Sequence, residues 1–202
     1  VPSLADRLRF SLISQIIDRP VFQILRTEHQ LGYVVFGFAT AHVDILEVRI
    51  LVQGFRSSPD VVASLIDDTV HNLTQNFKQM DPKEFQVRKD SLRRDLQKPA
   101  ANLGELAARF WSQIWEETYC FDKVDKELNL LDNITLPSLA KAWEDTTKEP
   151  LTRKMTVKLY GSNASTGKVD IPAAQKDLDV IMDVEKLNLD DAPRWPHRYV
   201  CE

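Results

Sequence analysis

Apolar residues recur every fourth position at Leu4, Leu8, Leu12 and Ile16, with Ala5, Ile13 and Ile17 beside them. Asp6, Arg7, Arg9, Ser14 and Gln15 fall on the other side, and the pattern predicts an amphipathic helix over 4–18. Pro20 ends that helix or kinks it into a second one, because proline is tolerated in a first helical turn. The helical pattern then runs on to about His29. Gly32 breaks it. "YVVFGF", from Tyr33 to Phe38, is β-branched and aromatic, as strands prefer. From Leu46 the chain alternates, with Leu46, Val48, Ile50 and Val52 pointing one way and Glu47, Arg49 and Gln53 the other. Joined through "TAHVD", the two segments predict an antiparallel hairpin with one covered face.

Helix signals dominate the next hundred residues. Ser58 before Pro59 marks a start, and Val62, Leu65, Ile66, Thr69, Leu73 and Phe77 form a helical stripe. "DPKE" at 81–84 places Asp81 as the cap, Pro82 in the first turn and Glu84 at the capping-box position. "NLGE" at 102–105 repeats the device and opens a helix with Leu103, Leu106, Ala107, Phe110 and Ile114 expected to face inward. Shorter helices are predicted at about 122–132 and 136–147. "RKMTVKLY" at 153–160 alternates again and predicts a strand. Beyond Gly161 the pattern is lost: "GSNASTG" is loop-like, and "DDAPRWPHRYVCE" has two prolines and no period.

These elements make an α+β domain over 1–160, with a small antiparallel sheet built from early and late strands and covered by a block of helices. Residues 161–202 form a C-terminal extension, irregular in part, whose Trp195 is assigned to an interface. The opening "VPSLADRLRF" reads as the interior of a longer polypeptide.

Composition narrows the chemistry. A net charge of −4 gives no case for nucleic acid, and no apolar run reaches membrane-spanning length. Two cysteines, Cys120 and Cys201, are too few for a disulfide framework, and a reducing compartment is the simpler reading. His29, His42, His71 and His197 never pair at i, i+4. There is no H-E-x-x-H or H-x-x-E-H, no C-x-x-C, no G-x-S-x-G and no phosphate-cradling glycine loop, so a self-contained metal or nucleophile site is not expected. The basic residues of 81–98 read first as a solvated helix face, with a basic wall toward a polypeptide as the alternative. Trp111, Trp115 and Trp143 are assigned to core or interdomain packing.

That leaves "ILRTEHQLGYVVFGF" at 24–38, where a polar stretch leads directly into an apolar strand. On spacing alone it can be a helix C-terminus, a glycine cap and a strand, with Arg26 complementing the helix dipole. The order of its residues closely resembles the R-T-x-x-Q-L-G-Y motif of the insulysin branch of the pitrilysin metallopeptidases, found in the last of four homologous domains. The resemblance continues through "FRSSPDVVASLIDDTV", "LRRDLQKPAANLGELAARFWSQI" and "YCFDKVDKELNLLDNIT", and covers about residues 3–160.

The resemblance implies a pitrilysin-like α+β fold that lacks its first strand or strands. It also implies a zinc metalloendopeptidase parent whose inverted zinc motif lies in another domain, so zinc belongs to the parent and none to this segment. Arg26 and Tyr33 are the implied catalytic residues, contacting substrate and stabilising the transition state, with Gln30, Leu31 and Gly32 positioning them. Gly32 is expected to let the chain turn from helix to strand. The implied partners are a peptide substrate and the zinc-bearing N-terminal half of the parent, with no nucleic acid and no membrane. An exposed sheet edge would allow self-association or pairing with the tail. The expected compartment is cytoplasmic, with mitochondria or another organelle as alternatives. The alternative function is a non-catalytic pitrilysin-fold module that holds peptide or serves structurally.

Overall fold

A computed structural model describes residues 2–42, 45–148 and 154–160. The first element is helix α1 (Leu4–Val21), opened by a reciprocal capping box between Ser3 and Asp6. A π-helical segment, Phe22–Glu28, continues it without a break, and Pro20 lies inside α1 just ahead of the change. Strands β1 (Val34–His42) and β2 (Ile45–Gln53) pair antiparallel, from Val34 opposite Gln53 to His42 opposite Ile45. Five helices follow: α2 (Pro59–Gln79), α3 (Pro82–Gln97), α4 (Leu103–Trp115), α5 (Lys123–Asn133) and α6 (Leu136–Thr147).

The predicted face of β2 is the covered one: Leu46, Val48, Ile50 and Val52 pack against the core. α1 is the centre of that core rather than an amphipathic cover. β1 lies on one side of it, and α3, α5 and α6 pack around the rest. Phe10, Ile13, Ile17 and Val21 are therefore buried as fully as Leu8 and Leu12. The expected polar side is absorbed too, since the Ser14 hydroxyl accepts a hydrogen bond from the Ala39 N–H at 3.2 Å. Against α2, Trp143 of α6 is fully buried, stacks on Phe77 at 4.9 Å and donates its indole N–H to Thr74 Oγ1 at 2.9 Å.

The helix starts are where the capping residues predict them. Ser58, Asp81 and Asn102 each accept a backbone N–H at their helix N-terminus. Glu84 does not close the expected box and reaches Arg88 instead. Part of the basic face of α3 is spent inside the domain, while Lys83, Arg94 and Lys98 stay exposed. Lys89 is buried and donates to the Asp132 and Ile134 carbonyls at 3.2 and 3.0 Å, covering the C-terminus of α5, and Arg93 pairs with Asp132. Burial holds the Lys89 ammonium below the usual lysine range.

Two expectations fail. Residues 154–160 join no ladder, so among the described residues the sheet has two strands. The alternation is real but answers to α2: Lys154 pairs with Asp67, and Lys158 and Tyr160 both reach Asp60. The Lys158 hydrogen bond holds Asp60 below the usual aspartate range. Met155, Val157 and Leu159 are left exposed on the opposite side. The stripe of α4 also fails to face inward, for Leu103, Leu106, Phe110 and Ile114 are all exposed. Of the three helical tryptophans, Trp143 alone lies in the core, while Trp111 and Trp115 are 63% and 80% exposed. Residues 161–202 lie outside the described residues, and with them the expectations for the extension and for Trp195. Among the described residues no helix is long and apolar enough to cross a membrane.

Candidate functional site

The π-helical segment brings Arg26 to the end of the hairpin. Widening the helix by one residue per turn shifts every later side chain around the axis, and π-segments are frequent at functional sites for this reason. Leu25 turns inward and is fully buried, while the Arg26 guanidinium faces the chain that follows. Its Nη1 donates to the Tyr33 carbonyl oxygen at 2.6 Å. Its Cζ lies 5.0 Å from the ring centroids of both Phe22 and Tyr33, so two aromatic faces hold the cation.

The turn between helix and strand is made at Gln30, not at Gly32. Gln30 has φ 52°, the left-handed conformation in which glycine or asparagine is the usual resident. Around it the Leu31 N–H reaches back to the Leu25 carbonyl at 3.0 Å, and the buried Leu31 side chain plugs the corner. Gly32 serves a different need, close approach. A Cβ there would stand 2.1 Å from the Gln53 carbonyl oxygen, and one on Gly54 would stand 1.9 Å from the Leu31 carbonyl oxygen. The two glycines let backbones 31–32 and 53–54 touch, and the Tyr33 N–H bonds to the Gln53 carbonyl at 3.1 Å. Tyr33 is thus pinned through its backbone while its side chain stays 80% exposed.

All five residues expected at the site line one open cleft of about 260 Å³: Arg26, Gln30, Leu31, Gly32 and Tyr33. Phe55 and Arg56 complete it. Sequence reasoning missed both, although the hairpin register holds the signal. Val34 opposite Gln53 puts residues 54–56 beside 31–33. Phe55 is 93% exposed, and Arg56 gives the cleft a second guanidinium with no carboxylate among its lining residues. Such a lining suits an acceptor oxygen, a peptide carbonyl or a carboxylate, beside an apolar side chain.

A family profile described as "PQQ synthase PqqF-like, C-terminal lobe domain 4" matches residues 12–111. The chain is 28% identical to human insulin-degrading enzyme over 144 residues, 71% of this chain and 14% of that protein. It is 32% identical over 124 residues to a Schizosaccharomyces pombe protein, mug138, whose name carries the words zinc protease; that match takes in 61% of this chain and 13% of mug138. The chain belongs to the pitrilysin family. A crystal structure of pitrilysin shares the fold, with a TM-score of 0.70 and 21% identity over 85% of this chain and 18% of that one. This pitrilysin-family domain therefore spans about one seventh of the length of the curated relatives it matches.

The name of the mug138 protein points to zinc, and the side chains of the domain test whether it could sit here. Among the described residues no three His, Cys, Asp or Glu side chains converge to hold a metal ion. The donor set at the cleft is two arginines, a tyrosine and a glutamine, none of which makes a zinc site. What the cleft lining does offer is hydrogen-bond donors, from the two guanidinium groups, the phenol and the amide.

Proposed function

We propose that this chain is the C-terminal, substrate-enclosing domain of an insulysin-like zinc metalloendopeptidase that degrades peptides. It would supply Arg26 and Tyr33 to an active site whose zinc motif lies in another domain of the parent. One observation carries the reading. Arg26 and Tyr33 are tied into a single unit at the rim of the cleft, with the tyrosine side chain exposed and given no part in the core. A strand aromatic with only a packing role would be buried.

The unit divides the work. Hydrolysis of a peptide bond places negative charge on the scissile carbonyl oxygen. A phenol hydroxyl aimed at that oxygen donates most strongly when the charge has developed, which lowers the barrier rather than tightening ground-state binding. Arg26 fixes where that hydroxyl stands, by its bond to the Tyr33 carbonyl and its place under the ring. It also sets a positive charge beside the substrate backbone. The corner at Gln30, Leu31 and Gly32 holds Arg26 on the π-helical segment and Tyr33 directly before β1, and anchoring to such elements positions a donor more accurately than a free loop. Zinc and the activation of water belong to the other half of the parent, and the segment alone would not hydrolyse peptides.

Tyr33→Phe in the full-length parent tests this, because phenylalanine keeps the ring over Arg26 and removes the hydroxyl alone. The expected result is a fall in kcat approaching the roughly 10²–10³-fold typical of one lost oxyanion donor, with a smaller change in KM and an unchanged melting temperature. Wild-type kcat would remove the catalytic role. It would leave the non-catalytic module, which needs no phenol.

A further inference from the structure

The cleft holds two guanidinium groups, and only one of them is committed. Arg26 donates to the Tyr33 carbonyl and lies against the Phe22 and Tyr33 rings. Arg56 is exposed and makes no hydrogen bond or ion pair among the described residues. Phe55, directly before it, is exposed as well. Neither sits on a free loop. The Tyr33 N–H holds the Gln53 carbonyl at 3.1 Å, and Gly54 lies too close to the Leu31 carbonyl for any side chain to fit between them. On the other side Ser58 caps α2 by accepting the Val61 N–H. Residues 55–57 thus bridge a pinned strand end and a capped helix start. Phe55 and Arg56 are thereby held in the lining of the cleft beside Tyr33.

We propose that Phe55 and Arg56 form a specificity subsite of the cleft, which favours peptide substrates carrying a carboxylate close to the scissile bond. The inference rests on the reading of the cleft as substrate-facing and adds which substrates it prefers. A guanidinium presents a planar fork that matches a carboxylate with two parallel N–H···O bonds. Arg56 has its whole fork available, whereas Arg26 already spends Nη1 on the Tyr33 carbonyl. No carboxylate lines the cleft to compete for it. The Phe55 ring beside it covers the carbon stem of the bound residue and keeps water from one side of the ion pair, which strengthens the pairing. A glutamate or aspartate side chain and the free C-terminus of a short peptide present the same planar group, so both are candidate sources of the carboxylate.

Three peptides test it: an amidated one with Glu beside the scissile bond, the same peptide with Gln, and the Gln peptide ending at that residue in a free carboxylate. Each is titrated into the isotope-labelled 202-residue chain and followed by NMR at the Arg56 side-chain N–H. A carboxylate peptide should bind about two- to fivefold more tightly than the neutral one, as an exposed ion pair allows, and should move the Arg56 signal. The preference should shrink as salt is added. Arg56→Gln should abolish it, while Phe55→Ser should weaken all three peptides alike. A preference for the Glu peptide alone assigns the side chain as the source, and one for the third peptide alone assigns the chain terminus. In the full-length parent the same preference should appear in kcat/KM, and Tyr33→Phe should lower kcat on every peptide without altering it. Equal binding of the three peptides, or no binding of any, would overturn the proposal, as would a preference that survives Arg56→Gln. A preference lost in Arg56→Gln beside wild-type kcat in Tyr33→Phe would leave the subsite standing and remove only the catalytic role of the tyrosine.

Discussion

Helices α1 and α4 carry equally regular apolar stripes, yet one is the most buried element of the domain and the other is exposed along its length. Leu12, Ile13 and Ile17 of α1 have no exposure, whereas Leu103 of α4 is 80% exposed. Periodicity reports which side of a helix must be covered, and says nothing about what covers it. For α1 the cover is local and plentiful: the hairpin that follows it and three later helices. For α4 the described part of the chain supplies only the short return through Tyr119 and Phe121. The lesson extends to the cleft, whose rim is also incomplete by itself. Tyr33 and Phe55 stand in solvent there, with nothing in the described part of the chain covering them.

The contrast can be broken at the two leucines. Leu12→Ala should cost about 2–5 kcal/mol, since the cavity would open in the centre of the core. Leu103→Gln, at the start of α4, should stay within about 0.5 kcal/mol. Urea melts of the two variants provide the check. A large loss at Leu103 would mean that this chain covers α4 after all.

The next effect belongs to the crossing of backbones beneath the cleft. Gly32→Ala would drive a methyl group into the Gln53 carbonyl, with backbone on both sides of the clash and no flexible side chain to yield. It should cost roughly 1–3 kcal/mol by overpacking and move Tyr33 with it. A thermal melt paired with kcat of the parent tests both consequences. Full stability with full activity would show that residues 31–32 and 53–54 do not need to touch.

Gln30→Gly should have a smaller effect on stability than Gly32→Ala, and with the opposite sign. A left-handed glutamine carries a penalty of about 1–2 kcal/mol that glycine avoids, offset in part by the glycine's greater unfolded-state freedom. A net gain of up to about 1 kcal/mol is expected by melt. If the glutamine was kept for its place in the cleft lining, the stabilised variant should bind peptide more weakly. Unchanged binding would reduce Gln30 to a corner residue.

Much of this was legible in the sequence, and the parts that were not share a cause. The hairpin and the helix starts at Ser58, Asp81 and Asn102 rest on neighbours in sequence, so a short window carries the whole signal. The five cleft residues followed from one motif and its resemblance. The π-helical segment and the left-handed Gln30 did not, because both depend on Leu25 and Leu31 finding the core at once and on Gly54 arriving from the far strand. Phe55 and Arg56 became visible only with the register that carries them to Tyr33. Segment 154–160 alternates as a strand does, but its lysines found the Asp60 and Asp67 carboxylates of α2 rather than a ladder. In each case a local pattern was read correctly and a distant partner decided its use.

The central claim is that Arg26 and Tyr33 act as one unit on the substrate, and a double-mutant cycle in the full-length parent tests it most directly. Arg26→Lys keeps a charge but loses the planar cation between two rings and the bond to the Tyr33 carbonyl, while Tyr33→Phe removes the hydroxyl. If Arg26 acts by holding that hydroxyl in place, the double variant should have a kcat little below that of Tyr33→Phe alone, a strongly non-additive result. Losses in kcat that multiply would show two independent contributions, and two single variants with wild-type kcat would contradict the account outright.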